Sequence, residues 1–233
     1  MNIHEDAWLT AVFGYPVFAV EEGSAAEIDR HAAGSPRAFY FAKVPVDRVE
    51  RVDELTGAGF SVVDVNVTFA REPTPAPPAP PVSVAPLRPQ DGDAVAEIAG
   101  SCFRYSRFHL DPHLPRSLAD DVKREWIHSY VEGRRGVEVL VASDGERPTG
   151  FLAVLEDGDA RVIDLVGVDT SRQGRGIGGA LVATFIERHG PHARELRVGT
   201  QLANASSLRL YERLGFVVSH SAYVLHRHVG GTP

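Results

Sequence analysis

At 233 residues the chain is long enough for one large domain or two small ones. Its net charge of −7 excludes broad nucleic-acid binding, which needs a basic excess, yet a local basic cluster can still hold a phosphorylated small molecule. A single cysteine, Cys102, excludes an internal disulfide, and no apolar run approaches the roughly 18 residues of a membrane span. Met1–Thr10 carries acidic residues and no basic start before an apolar core, so it does not read as a signal peptide, and a cytoplasmic protein is expected. Lysine occurs only at positions 43 and 123, an arginine bias that reads as genome composition rather than function.

In chain order, Ala38–Val44 predicts a strand. Asp47 is placed to cap a helix whose apolar face is Val49, Val52 and Leu55, ended by Gly57 and Gly59. Phe60–Ala70 alternates as a strand, with Val63, Val65, Val67 and Phe69 on one face and Val62, Asp64, Asn66 and Thr68 on the other. Glu72–Gln90 holds eight prolines, which cannot supply donors to a helix or central strand and favour an extended path. It divides a small unit, residues 1–71, from a larger one, residues 82–233, with 72–81 as a semi-rigid linker. A core of about seventy residues is marginal alone, so the small unit is expected to pack on its neighbour.

The larger unit opens with a strand over Val82–Leu87. Asp91 is placed to cap a helix with Val95, Ile98, Ala99, Cys102 and Phe103 at helical spacing, and Leu118, Val122, Trp126 and Tyr130 mark a second. Strands are predicted over Val137–Ala142, Gly150–Leu155, Arg161–Val168 and Leu196–Thr200. Helices are predicted over Ile177–His189 and, capped by Asn204, over Ala205–Leu214. Two strands, Phe216–Val218 and Ser221–Arg227, finish the pattern, and the alternation calls for a mixed α/β sheet with helices on its faces. Gly59–Arg71 and Gly215–Arg227 align without gaps. Either both are ordinary helix–Gly–Phe–strand units, or the N-terminal unit is a reduced copy of half the C-terminal fold.

The strand ending at Val168 leads into Gln173-Gly174-Arg175-Gly176-Ile177-Gly178 and directly into a helix. Such a loop offers unpaired N–H groups and the positive end of a helix dipole, and its glycines allow close approach of phosphates. Gly174, Gly176 and Gly179 also satisfy G-x-G-x-x-G, but a dinucleotide site wants an acid at the end of the next strand, where Gly199-Thr200-Gln201 stands instead. Gln173-x-x-Gly176-x-Gly178 after a strand resembles the acyl-CoA loop of the GNAT acyltransferase superfamily. Asn204–Phe216 resembles the superfamily's next motif, an Asn and a Tyr seven residues apart ahead of Gly-Phe; the likeness covers Val82–His228. Ser106-Arg107-Phe108, Trp126-Ile127, Leu196–Asn204 and Ser221-Ala222-Tyr223 are similar to the dTDP-fucosamine N-acetyltransferase family. Trp8, Phe13-Gly14 and Gly59–Asp64 extend that likeness into the first unit, while the proline-rich linker and the tail after Arg227 depart from it.

The resemblance implies an α/β (α+β) GNAT fold: a mixed, mostly antiparallel sheet with helices on both faces, plus a small N-terminal αβ unit like a partial GNAT. It implies acetyl-CoA as cosubstrate, no metal, and a dTDP-linked amino-deoxysugar as acceptor, acetylated by direct attack in a ternary complex. A homodimer is the implied assembly. Backbone groups near Val166 and Val168, the loop Gln173–Gly178 and Asn204 are implied to bind the cosubstrate. Tyr211 is implied to protonate the departing thiolate. A thiol near about 8.5 against about 10 for tyrosine makes that transfer uphill without a local shift or a water. Asp64 matches an acid of the family and is implied as the base, with Glu156, Asp157 and Asp164 as alternatives. Arg107, Phe108 and Thr200 are assigned to the acceptor, Arg104–His109 being read as a loop of cations and aromatics beside the cleft. Trp126 and Tyr130 read as core, Cys102 as a small buried hydrophobe, and the histidines show no metal-ligand spacing. Two other readings stay open: another amine acceptor (an aminoglycoside, a polyamine or a protein N-terminus), or a non-catalytic acyl-CoA sensor.

Overall fold

The computed structural model describes residues 2–78 and 80–230; Ala79 of the linker and the last three residues of the tail lie outside the described residues. The elements β1 (Asn2–Glu5), α1 (Ala7–Phe13), β2 (Val17–Glu22) and α2 (Ala25–Ala32) come first, followed by β3 (Ala38–Pro45), α3 (Val49–Gly57) and β4 (Ser61–Arg71). After the prolines come β5 (Ser83–Pro86), α4 (Gly92–Cys102), α5 (Arg107–Leu110) and α6 (Arg116–Val131). Three antiparallel strands follow, β6 (Glu138–Asp144), β7 (Arg147–Asp157) and β8 (Ala160–Val168). The remainder is α7 (Ile177–His189), β9 (Glu195–Gln201), α8 (Ala205–Arg213) and β10 (Val217–Val229).

Local chemistry departs from the sequence reading at a few points. Asp47 does not cap α3, whose N-cap is Arg48 with no side-chain bond, and Val49 stays 57% exposed while Leu55 is buried. Asp91 sits at the N-cap of α4, but its carboxylate is engaged by Arg88 at 2.6 and 3.0 Å. A guanidinium outcompetes neutral backbone donors for a carboxylate. Arg104–His109 is not wholly loop: Ser106 accepts the His109 N–H and starts α5. The two final strands are one strand, β10, carried through by a register shift between Val218 and His220. Asn204 caps α8 as expected, accepting the Ser207 N–H at 3.3 Å.

All ten strands join one sheet in the order β1-β2-β3-β10-β4-β9-β8-β7-β6-β5. Only β2–β3 and β8–β9 are parallel. Because β10 lies between β3 and β4, the end of the chain completes the sheet begun at its start. The order also carries a local two-fold between β10 and β4, relating β3 to β9, β2 to β8 and β1 to β7 in pairing direction. Aligning Gly59 with Gly215 maps the pair Val67–Ser221 onto Tyr223–Val65, and Thr68–His220 onto Val224–Asp64. Both glycines follow a helix with left-handed φ, 79° and 80°. A Cβ at Gly59 would lie 3.7 Å from Arg227 Nε, and one at Gly215 would lie 3.2 Å from Arg71 Nε, so each strand's final arginine covers the other strand's first turn.

Alternation along the strands builds a core on each face. On β6, Leu140 and Ala142 pack with Leu181 and Phe185 of α7, while Val139 and Val141 pack with Val95 of α4 and Ile127 of α6. On β3, Tyr40, Ala42 and Val44 meet Ile28 and Leu55, while Phe39 meets Phe13, Phe108 and Val122. Trp126 lies at the join of the two cores on the α6 side, edge-on to Trp8 at 5.8 Å.

A side chain at a left-handed position costs about 1–2 kcal/mol. Gly59→Ala and Gly215→Ala are each expected to lower the melting temperature by roughly 2–8 °C for a chain of this size. Thermal unfolding followed by circular dichroism measures both, and an unchanged midpoint would contradict the strain.

Candidate active site

The site originates in a pairing that stops. β8 and β9 run side by side from Ala160–Glu195 to Ile163–Val198 and pair no further. β8 continues to Val168 against β7, and β9 continues to Gln201 against β4. The strands therefore part, and the wedge opens into a cavity of about 770 Å³. Its walls include Val166, Val168, Gln173, Gly174, Gly176, Ile177, Gly178, Asn204, Tyr211, Asp64, Arg107, Phe108 and Thr200. Arg175 and, of the alternative bases, Glu156 are not in the wall.

At one end lies the N-terminus of α7. Its N-cap is Gly176, with φ 80° and no side-chain bond, so the first N–H groups of a 13-residue helix have no capping oxygen. Gln173 Nε2 donates to the Val168 carbonyl at 3.2 Å and ties the loop back to β8. A Cβ at Gly176 would come 2.6 Å from Pro80 Cγ, so only glycine lets the proline-rich stretch lie against this turn. Open helix donors, positive-φ glycines and a positive dipole end suit a pyrophosphate, which is the anion an acyl-CoA presents.

Tyr211 is 2% exposed and sits between Phe69 and Phe216, at ring distances of 5.7 and 6.0 Å. Burial pushes its hydroxyl above the ordinary value, against the opposing hydrogen bond with Ser207. This is the opposite of the shift that would ease proton release. Asn204 Nδ2 reaches Thr200 Oγ1 at 3.4 Å, which links the α8 cap to the end of β9.

Asp64 lies on the far wall from β4. Its carboxyl is 7% exposed, Oδ2 has no hydrogen-bond partner, and burial pushes its pKa up to about 6 despite opposing help from the Val65 N–H, Lys43 and Gln201. The three other acids are engaged. Asp164 Oδ2 accepts Trp126 Nε1 (2.8 Å), Tyr130 Oη (2.6 Å) and Arg135 Nε (2.8 Å), and those bonds outweigh its burial and hold it below the usual carboxylate range. Asp157 pairs with Arg197 at 3.1 Å, and Glu156 pairs with Arg161 at 3.1 Å.

Arg107 lies with its guanidinium carbon 4.0 Å from the Phe41 ring centre and 4.3 Å from that of Phe108. Phe108 is itself 2% exposed and packs on Phe13. Behind Arg107 stands a group that linear spacing does not show: Asp111, His226 and His228, whose ligating atoms lie within 4.8 Å of one another. Their contacts are hydrogen bonds: Asp111 Oδ2 accepts His226 Nδ1 at 2.6 Å and His228 Nε2 at 2.9 Å. Burial tends to raise Asp111, but these bonds and the His113 N–H hold it low, while burial takes His226 down to about 4. Sequence reasoning also missed Lys43, Lys123, Asn66 and Gln201 in the wall. The lysines had a signal, since they are the chain's only two. Cys102 reaches the wall too, its thiol pushed up to about 12 by burial, which leaves it inert as a nucleophile.

Comparison with known proteins agrees with this architecture. Residues 135–218 match the acetyltransferase (GNAT) domain family. The chain is 32% identical over 191 residues to the spore coat polysaccharide biosynthesis protein SpsD of Bacillus subtilis, covering 81% of this chain and 66% of that protein. It is 28% identical over 230 residues to the dTDP-fucosamine acetyltransferase of Escherichia coli O6:H1, covering 97% and 98%. A solved GCN5-related N-acetyltransferase from Sphaerobacter thermophilus superposes with a TM-score of 0.66 at 17% identity, over 93% of this chain and 74% of that one. Fold, loop and relatives converge, and the chain carries a GNAT acetyltransferase domain.

Proposed function

We propose that the protein transfers an acetyl group from acetyl-CoA to the amino group of a dTDP-linked amino-deoxysugar, by direct attack in a ternary complex. The observation that carries this reading is that one cavity unites the uncapped end of α7, Tyr211, and the unpartnered carboxylate oxygen of Asp64. The nucleotide-sugar acceptor is supported by the two sugar-related relatives and by Arg107 in the same wall. The chain spans 66% of the length of SpsD.

Acetyl-CoA, when bound, supplies the activated thioester. The helix N–H groups from Ile177 onward hold its pyrophosphate, and backbone groups of Asp164–Val168, which have no β9 partner beyond Ile163, face the acyl carbonyl. Donors aimed at a developing oxyanion are worth about 3 kcal/mol each. Asp64 takes the ammonium proton as the amine attacks; a base with a value near 6 is ionised at neutral pH yet close enough in affinity to accept. Tyr211, held protonated, donates a hydrogen bond to the departing sulfur and shares its proton rather than releasing it ahead of bond cleavage. Asn204, Thr200 and Phe108 shape the walls between these groups.

A transfer assay with radiolabelled acetyl-CoA across dTDP-amino sugars, aminoglycosides, polyamines and peptide N-termini tests the acceptor. Tight CoA binding without transfer to any amine would instead establish a sensor. Tyr211→Phe is expected to lower kcat by about 10²–10⁴-fold with a normal circular dichroism spectrum; a loss under fivefold would remove its role.

Asp64 generates two opposite expectations. Activity should rise with pH through about 6 in the native protein, and Asp64→Asn should be slow and lack that limb. Stability runs the other way. A carboxyl held above its unfolded value of about 4 makes the fold lose stability as pH rises from about 4 through 6. Asp64→Asn should therefore melt higher than the native protein at pH 7. A variant that is both active and no more stable would contradict the assignment.

A further inference from the structure

The chain's only two lysines, on β3 and α6, end in the same cavity wall, with Arg107. Among the described residues none of the three makes an ion pair, although most arginines elsewhere on the surface do. Asp164, the acid whose charge most favours Lys123, already accepts Trp126, Tyr130 and Arg135 on its Oδ2. Unpaired cations gathered in one wall repel one another, and Lys123, 7% exposed, also forfeits hydration, which folding alone would not select. The strain is visible in their acidity. Burial brings Lys123 down to about 8 and Arg107 to about 10, and it lowers Lys43, with the neighbouring cations adding to the shift in both lysines.

The cluster is also built rather than incidental. Lys43, Val224 and Asp64 stand side by side across β3, β10 and β4, so the backbone register places the Lys43 ammonium near the base. Lys123, 7% exposed, rests its ammonium 4.5 Å from the Trp126 ring and 5.0 Å from Phe103, with no hydrogen-bond partner drawn from its own helix. Arg107 is clamped between Phe41 and Phe108, and its Nη1 lies 3.4 Å from His226 Nε2. Since Asp111 accepts from His226 Nδ1, that ring is left with a bare Nε2, the only form that accepts from a guanidinium. Asp111 and His226 are thus positioning residues that hold a cation in place without neutralising it.

We propose that Lys43, Arg107 and Lys123 form an anion subsite in the acceptor half of the cavity, built to hold the diphosphate of the acceptor. A planar guanidinium fork in one wall with two ammonium point charges suits phosphate oxygens, and three cations balance the charge of a diphosphate. The same charges repel polyamines and aminoglycosides, so they select against the rival acceptors. In a chain of net charge −7, attraction for an anion has to come from such a local cluster. The inference rests on the acyl-transfer reading of the cavity, but the subsite is testable without any acetyl acceptor.

The test is calorimetric titration of inorganic pyrophosphate into the full chain saturated with CoA, which occupies the α7 end. Binding is expected. Losing one charge-assisted contact in Lys123→Met should weaken it about tenfold or more, and the Lys43→Met/Lys123→Met double variant should abolish it. Lys123→Arg should retain binding within about threefold, a rescue that mere repacking would not show. Pyrophosphate that binds only by displacing CoA, or binds the double variant like the native protein, would overturn the subsite. In the transfer assay, the double variant should raise KM for a diphosphate-linked amino sugar at least tenfold more than KM for the matching free amino sugar. Lysine-dependent pyrophosphate binding without acetylation of any dTDP-amino sugar would keep the subsite and discard the nucleotide-sugar reading.

Discussion

The loss of pairing between β8 and β9 beyond Ile163 and Val198 is the constraint on which the rest depends. Each strand keeps its outer partner, β7 or β4, so the ladder bonds given up are only those facing the wedge. Those groups stay polar and directional, and they lie at the carboxyl ends of two parallel strands, where open α/β sheets place their ligands. Everything assigned to the chemistry converges there: α7 enters at the end of β8, α8 leaves from β9, and β4 brings Asp64 from the opposite side.

The two-fold relation between β4 and β10 sharpens why chemistry sits in one half only. β2, α2 and β3 repeat the parallel crossover of β8, α7 and β9, and β2–β3 pairing also stops early, after Ala19–Phe41. The helix ends differ. Ser24 and Glu27 form a capping box that satisfies the start of α2, and no comparable side chain closes α7. A capped helix has few free donors for an anion, so the first half keeps the scaffold and contributes strands and side chains to the cavity wall. The likeness of Gly59–Arg71 to Gly215–Arg227 is therefore more than a shared helix–Gly–Phe–strand unit, because the register itself repeats.

Charge is organised against the overall balance. An acidic molecule gathers three unpaired cations in one wall, beside a carboxyl raised by burial. Charges held in this way cost stability, a trade commonly made for preorganisation. The neighbouring acids show the contrast. Asp164 and Asp111 accept several hydrogen bonds each, which hold them below the usual carboxylate range and make them anchors for Tyr130, Arg135 and the histidines.

By itself the sequence determined the elements with strong periodicity and the cofactor loop. Ile177–His189 needs only its own apolar spacing and the glycines before it to be recognised, and Asn204 and Tyr211 lie on one short helix at fixed separation. Short or weakly patterned elements escaped it, namely β1, α1, β2 and α2, because a few residues carry too little periodicity until packing completes their faces. Asp47 and Asp91 looked like caps because capping is local, but their outcomes depended on backbone entry and on Arg88. Resemblance singled out Asp64, Arg107, Phe108 and Thr200, but which charges stand beside them in the cavity wall was decided by tertiary structure. Lys43, Asp64, Arg107 and Lys123 come from separate elements that meet at the cavity, Lys43 and Asp64 through the placement of β10 between β3 and β4. No spacing along the chain encodes that neighbourhood, since strand order rather than sequence distance sets which charges face one another.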